Sequence, residues 1–160
     1  MITVAILTIS DSASAGKRED QSGPVLQQRC RELDWRVVAL RIISDEQSGI
    51  EAQLRQWADD GTASLLLTTG GTGVAARDIT PEATRSVLDR EIPELAELMR
   101  AKGMEQTKIS VLSRAVAGTR KRSLIANLPG SPRGALHSLQ TIEHLVPHII
   151  DLLEGRTEHS

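Results

Sequence analysis

The sequence predicts an α/β fold built on a mainly parallel sheet, and three observations predict it. Short apolar runs alternate along the chain with stretches of helical periodicity. The runs are near-continuously apolar, as strands covered on both faces are. Glycine, proline and small polar residues punctuate the boundaries, most densely over Gly70-Gly71-Thr72-Gly73 and Leu128-Pro129-Gly130-Ser131-Pro132.

The first strand is expected over Ile2 to Ser10. Asp11 to Gln21 is small, polar and charged, and reads as a loop. Ser22-Gly23-Pro24 then opens a helix with Pro in the first turn, where its missing N–H is harmless. Val25, Leu26, Cys30 and Leu33 form its apolar side. Trp35 to Ile43 is the second strand. Ser44-Asp45-Glu46-Gln47 has the pattern of a capping box, and Ile50, Leu54, Trp57 and Ala58 follow helical spacing up to Asp59-Asp60-Gly61. Ser64 to Thr69 is the third strand, closed by the glycine run. Thr80 is expected to cap a helix with Pro81 at its first position. Pro93 opens another, with Leu95, Leu98 and Met99 inward. Two further strands are expected at Ile109 to Ser113 and Ser123 to Asn127, joined by a turn around Ala117-Gly118-Thr119. Ser131 and Pro132 lead into one long helix ending near Gly155. Residues 1–155 read as one domain and 156–160 as a frayed tail.

Composition removes several function classes. The 160 residues include no Phe or Tyr and two Trp (Trp35, Trp57), and the formal net charge is −2. Stacking platforms and a basic field for nucleic acid are both missing. Cys30 is the only cysteine, so no intrachain disulfide forms, and its place on the Leu26 and Leu33 stripe makes it a core residue. Ile2 to Ile9 followed by Ala13-Ser14-Ala15 has a faint leader-like pattern. It lacks a positive n-region and is interrupted by Thr3 and Thr8, so a core strand is the expected reading. No segment reaches the length of a membrane span. The expected compartment is the cytoplasm.

In parallel α/β folds the site lies outside the carboxyl ends of the strands. The loops 10–22, 44–46, 69–80, 113–114 and 127–132 are therefore the ones to inspect. Gly70-Gly71-Thr72-Gly73 is the strongest local signal. Glycines after a buried strand let the backbone approach a ligand and turn N–H groups toward one point, which suits an anion; a tight turn needing positive φ is the equal alternative. No Gly-Lys-Ser/Thr follows, so it is not a Walker A loop. No helix starts directly after it and no acidic residue ends a strand about twenty positions on, which excludes a dinucleotide-binding dehydrogenase. Asp11, Asp20, Asp45 and Asp78 lie in loops at the same edge. Each alone is explained locally: Asp45 by a helix dipole, Asp78 by Arg77 or by capping, Asp11 and Asp20 by solvent. Together, beside an anion-binding loop, they make sense around a hard cation such as Mg²⁺, which takes one or two carboxylates plus phosphate oxygens. A helix starting after Asn127-Leu128-Pro129-Gly130 offers N–H groups to a second anion, or simply a Pro/Gly turn capped by Ser131. His137, His144 and His148 fall on one helical face. His144 and His148 lack the intervening Glu of a zinc motif, so a solvated or subunit-facing polar face is expected.

Taken in order, the loops resemble the molybdopterin adenylyltransferase family of the MogA/MoaB type. The pieces are Thr8-Ile9-Ser10-Asp11, Asp20-Gln21-Ser22-Gly23-Pro24, Ser44-Asp45-Glu46, Thr68-Thr69-Gly70-Gly71-Thr72-Gly73, Arg77-Asp78-Ile79-Thr80-Pro81-Glu82-Ala83-Thr84, Leu112-Ser113-Arg114 and Asn127-Leu128-Pro129-Gly130. They span nearly the whole chain. The resemblance implies a three-layer α/β/α fold, a homotrimer, and Mg-ATP-dependent adenylylation of molybdopterin with release of pyrophosphate. It implies Asp45 and Asp78 as catalytic carboxylates acting through Mg²⁺. It implies Ser10, Asp11, Asp20, Ser22, Gly23, Gly70, Gly71, Thr72, Gly73, Ser113, Asn127, Pro129 and Gly130 as the binding residues for ATP and molybdopterin. The product would pass to a molybdate-inserting enzyme. Two rival readings stand beside it. One is a nucleotide pyrophosphatase like the related competence-damage domains, which tend to carry Asp-Asp where this chain has Arg77-Asp78. The other is a non-catalytic pterin-binding or scaffold module.

Overall fold

The computed structural model describes residues 1–157. Its elements run β1 (Thr3–Ile9), α1 (Asp11–Ser14), α2 (Ser22–Glu32), β2 (Arg36–Ile43), α3 (Gln47–Asp59), β3 (Leu65–Thr69), α4 (Thr80–Val87), β4 (Arg90–Glu91), α5 (Pro93–Gly103), a 3-10 turn (Lys108–Leu112), β5 (Ala117–Arg120), β6 (Ser123–Leu128), α6 (Pro132–Ile142) and α7 (Val146–Leu153). The six strands form one sheet in the order β2-β1-β3-β6-β5-β4. The pairs β1–β2, β1–β3 and β3–β6 are parallel; β5–β6 and β4–β5 are antiparallel.

The two-residue period of the strands sorts their side chains into two cores. Val4, Ile6, Leu65, Leu67, Leu124, Ala126 and Leu128 face α2, α5, α6 and α7, where they meet Leu26, Cys30, Met99, Leu139 and Ile150. Ala5, Leu7, Ile9, Leu66 and Ile125 face α3 and α4, where they meet Ile50, Leu54, Trp57, Ala83 and Val87. The fold is the expected three-layer α/β/α arrangement. Cys30 sits in the first core, and burial pushes its thiol pKa up to about 12. After β1 the chain builds β2 on one side, then β3 on the other. The carboxyl ends of β1 and β3 thus flank a topological switch point, where such sheets bind ligands.

Several expectations are corrected. Residues 109–113 are not a strand. Ser110 N–H and Ser113 N–H close local 3-10 bonds to Thr107 and Ser110, and Ile109, Val111 and Leu112 are exposed by 70, 60 and 51 %. The strand beside β6 is Ala117–Arg120, where a turn was expected. The reversal falls at Lys121-Arg122, with Lys121 at φ 53° and its N–H on Asp89 Oδ2 at 2.8 Å. Gly118 serves that strand rather than a turn, since a Cβ there would lie 2.3 Å from Arg90 O on β4. The long C-terminal helix is two, α6 and α7. Pro147, in the first turn of α7, has no N–H to continue α6 and its ring would meet the carbonyl four residues back. His137 therefore lies on a different helix from His148, and the shared face of three histidines does not exist. Among the described residues no group of three His, Cys, Asp or Glu side chains is placed to hold a metal. The first loop contains one helical turn, α1, capped by Ser10 Oγ. The residue before α3 is Glu46, with no side-chain cap bond, and α4 begins at Thr80 rather than after it. Leu98 is only half-buried; Ala96 takes its place in the core. Beyond Gly155, Arg156 is held by Asp151 (Nη2 to Oδ1, 2.7 Å), and residues 158–160 lie outside the described residues. No helix among the described residues is long and apolar enough to cross a membrane.

Candidate active site at the glycine loop

The glycine run leaves β3 with backbone torsions open to few residues. Gly70 has φ 106° and Gly71 φ 70°. A Cβ on Gly70 would lie 2.2 Å from Ile9 O, a fixed strand carbonyl. One on Gly71 would lie 2.3 Å from Thr80 Oγ1 and 3.0 Å from Asp45 Oδ1. Positive φ and contact are both present, so these glycines are required by the turn itself. Thr80, fully buried, locks the turn: its hydroxyl donates to Gly70 O at 2.9 Å and its N–H to Gly71 O at 3.1 Å. Arg114 locks the other half, with Nε on Gly73 O at 2.7 Å, Nη2 on Asp78 O at 2.6 Å, and its N–H on Thr72 O at 2.8 Å. Glu82 holds the Arg114 guanidinium at 2.7 Å.

This loop separates two adjoining cavities. The first is a polar cleft of about 440 Å³ at the ends of β1 and β3. Ser10, Asp20, Ser22, Asp45, Gly70, Gly71, Asp78 and Gly130 line it. The second, about 310 Å³, is lined by Thr72, Gly73, Ser113 and Pro129 together with Val74, Ile109, Leu112 and His137. Ser131 lines both, and its hydroxyl caps α6 by accepting Gly134 N–H at 3.1 Å. Most of the anticipated binding residues thus divide between two neighbouring chambers, while Asp11, Gly23 and Asn127 line neither.

The carboxylates are held in distinct ways. Asp11 and Asp45 bond reciprocally: Asp11 N–H donates to Asp45 Oδ2 at 2.9 Å, and Asp45 N–H to Asp11 Oδ1 at 3.0 Å. Arg77 grips Asp11 with two bonds, Nε to Oδ2 at 3.0 Å and Nη2 to Oδ1 at 2.9 Å, and also reaches Glu46. Arg77 therefore pairs across the site and not with its neighbour Asp78. That guanidinium holds the Asp11 carboxyl below its ordinary pKa. Asp45 moves the other way: burial raises its pKa, and the charges of Asp11 and Asp78 add to the rise. Asp78 Oδ2 accepts Ala75 N–H at 3.0 Å and would lie 2.8 Å from a Cβ on Gly73. Asp45 and Asp78 thus border the glycine loop in the polar cleft, mutually repelling. A divalent cation relieves that repulsion, so this donor set fits Mg²⁺ completed by ligand oxygens.

Two anticipated ligand residues serve the fold instead. Asn127 is fully buried between the sheet and α4. Its Nδ2 donates to Thr68 Oγ1 at 2.9 Å and Thr84 Oγ1 at 3.0 Å, and its Oδ1 accepts Val116 N–H at 3.0 Å. Both polar atoms of the side chain are thus engaged inside the fold. Asp11 is consumed by Arg77 and Asp45 and does not line the cleft. Asp20 lines the cleft but also anchors α2, accepting Thr8 Oγ1 at 2.8 Å and Gly23 N–H at 3.1 Å. Gly23 makes room for it, since a Cβ there would lie 2.4 Å from Asp20 Oδ2. The sequence pattern offers Thr80 only as a helix cap and Arg77 only as a partner of Asp78, and gives Arg114 no role of its own. The one signal for Arg114 is its place in Leu112-Ser113-Arg114, among the segments that carry the family resemblance.

A family model described as "Probable molybdopterin binding domain" matches residues 5–148. The molybdopterin adenylyltransferase of Helicobacter pylori (strain J99) is 40 % identical over 156 residues, covering 96 % of this chain and 89 % of that protein. The molybdenum cofactor synthesis protein cinnamon of Drosophila melanogaster is 41 % identical over 154 residues, but those cover 95 % of this chain and only 26 % of that protein. The crystal structure of the molybdopterin biosynthesis enzyme MoaB from Thermus thermophilus superposes with a TM-score of 0.91 at 47 % identity, covering 97 % of this chain and 98 % of that one.

Proposed function

The chain belongs to the family of probable molybdopterin binding domains, matched over most of its length, and on that premise we propose that it is a molybdopterin adenylyltransferase of molybdenum cofactor biosynthesis. The observation that carries this reading is the pair of chambers on either side of one rigid glycine turn, with Asp45 and Asp78 bordering the polar one. A two-substrate transfer needs such a pair. The polar cleft suits reacting phosphates, and the more apolar chamber suits a ring system.

In the reaction, a phosphate oxygen of molybdopterin attacks the α-phosphorus of ATP. The bond from that phosphorus to the bridging oxygen breaks, and pyrophosphate leaves. The chain's task is to position two anions and offset their charge. N–H groups of the turn beyond Gly70 would meet phosphate oxygens, and Thr80 and Arg114 keep the turn from relaxing by holding its carbonyls. Asp45 and Asp78 would hold Mg²⁺, which when bound supplies charge neutralisation for the phosphates. Arg77, through Asp11, keeps Asp45 in register. The enzyme acts in the cytoplasm as a homotrimer. The apolar residues on the outer strand β2 (Val38, Leu40 and Ile42, exposed by 39, 39 and 42 %) support self-association. Its adenylylated product is an activated species for a molybdate-inserting enzyme.

The test is ATP turnover with and without molybdopterin. The proposal expects adenylyl-molybdopterin and pyrophosphate in equal amounts, only when both substrates are present, and loss of both in a folded Asp78→Asn variant. Pyrophosphate release indifferent to the pterin identifies a pyrophosphatase instead. Tight pterin binding with no turnover identifies a binding module.

A further inference from the structure

The polar cleft has a charge problem. Glu19, Asp20, Asp45 and Asp78 all line it, yet the proposed substrates bring phosphates to the same space. Arginines close by are already committed. Arg77 is held by Asp11 and Glu46. Arg114 is held by Glu82 and two loop carbonyls. One basic side chain remains among the lining residues, Arg18. It makes no hydrogen bond or ion pair with any other described residue, not even with its neighbour Glu19. Its backbone is nevertheless secured on both sides. Lys17 N–H donates to Ser12 O at 2.9 Å, and the Asp20 carboxylate ties the following turn to Thr8 and Gly23. The side chain is thus presented at the cleft from an anchored loop.

We propose that Arg18 is the phosphate-binding cation of the polar cleft, a role that rests on the adenylyltransferase reading. A guanidinium matches phosphate with two parallel N–H···O bonds and keeps its charge at every working pH. A lone exposed arginine is ordinarily just solvated. This one differs in being the sole basic residue on a wall with four carboxylates. The phosphate belongs either to the nucleotide and its pyrophosphate or to the pterin; both present the same oxygens.

The experiment uses the full chain as wild type, Arg18→Ala, Arg18→Lys and Lys17→Ala, the last removing an adjacent positive charge that does not line the cleft. Calorimetry measures binding of magnesium pyrophosphate, and steady-state assays give KM for ATP and for molybdopterin separately. Arg18→Ala is expected to weaken pyrophosphate binding and raise the KM for ATP about tenfold or more. Arg18→Lys should recover part of the loss. Added salt should weaken wild-type binding more than that of Arg18→Ala, and Lys17→Ala should match wild type. A rise confined to the KM for molybdopterin also supports the role and assigns it to the acceptor phosphate. Pyrophosphate binding and both KM values within about twofold of wild type for Arg18→Ala would overturn it. If the wild-type chain binds pyrophosphate through Arg18 but transfers no adenylyl group, the adenylyltransferase reading fails and the Arg18 site stands.

Discussion

Asn127→Ala separates a structural clamp from a ligand contact. The native side chain is fully buried and makes three hydrogen bonds. Truncation leaves Val116 N–H without its partner beside a buried strand, which costs roughly 1–3 kcal/mol. Thr68 and Thr84 each lose an N–H donor, about 0.5–1.5 kcal/mol apiece. Thr84 keeps its bond to Thr80 O at 2.8 Å, which moderates the total. The sum is about 2–6 kcal/mol, a large share of the roughly 5–15 kcal/mol that holds a domain together. Urea unfolding followed by circular dichroism should show a lower midpoint with the slope unchanged. Substrate KM values of the folded protein should move little. A stability change under about 0.5 kcal/mol, joined to a large rise in KM, would refute the clamp and restore Asn127 as a ligand residue.

Three further outcomes follow from the same geometry. Gly70→Ala forces a Cβ to 2.2 Å from Ile9 O at φ 106°, so it should destabilise the fold by roughly 3 kcal/mol or more and abolish transfer, as read by thermal unfolding and turnover. Because the fold raises the Asp45 pKa, the stability it contributes is fully present below its unfolded pKa and is lost as pH rises through the folded value. Above that acidic window Asp45→Asn should be at least as stable as wild type, while losing activity; a variant clearly less stable at neutral pH would contradict the assignment. Arg77→Ala removes both bonds to Asp11, and because the pair is exposed it should change stability by at most about 1 kcal/mol while lowering kcat through a displaced Asp45, a split that parallel unfolding and kinetic measurements can read.

How far such a site can be read in advance depends on which interactions make it. The glycine turn and the carboxylates after β1, β2 and β3 were legible, because strand ends and positive-φ glycines leave local marks. The parallel sheet was legible for the same reason: Val4 to Leu7 and Leu65 to Leu67 are apolar on both faces. The edge of the sheet was not. Ile109, Val111 and Leu112 have the composition of a strand, yet they pair with no strand among the described residues and form an exposed 3-10 segment. Ala117–Arg120 looks like a turn, because its glycine answers a contact with β4 that sequence spacing does not reveal. Asn127 and Asp11 were misplaced for a related reason. A polar residue beside a binding loop has one signature whether it faces ligand or interior. Pairings such as Arg77 with Asp11, 66 positions apart, exist only once the loops have converged.

The most direct test of the central claim is a crystal structure with a non-hydrolysable ATP analogue and Mg²⁺. The phosphates should lie against the backbone N–H groups that follow Gly70, whose own N–H is spent on Leu128 O at 3.2 Å, with Asp45 and Asp78 turned to the same metal. An analogue bound away from the glycine turn, or one whose phosphates meet neither aspartate directly or through the metal, would contradict the account.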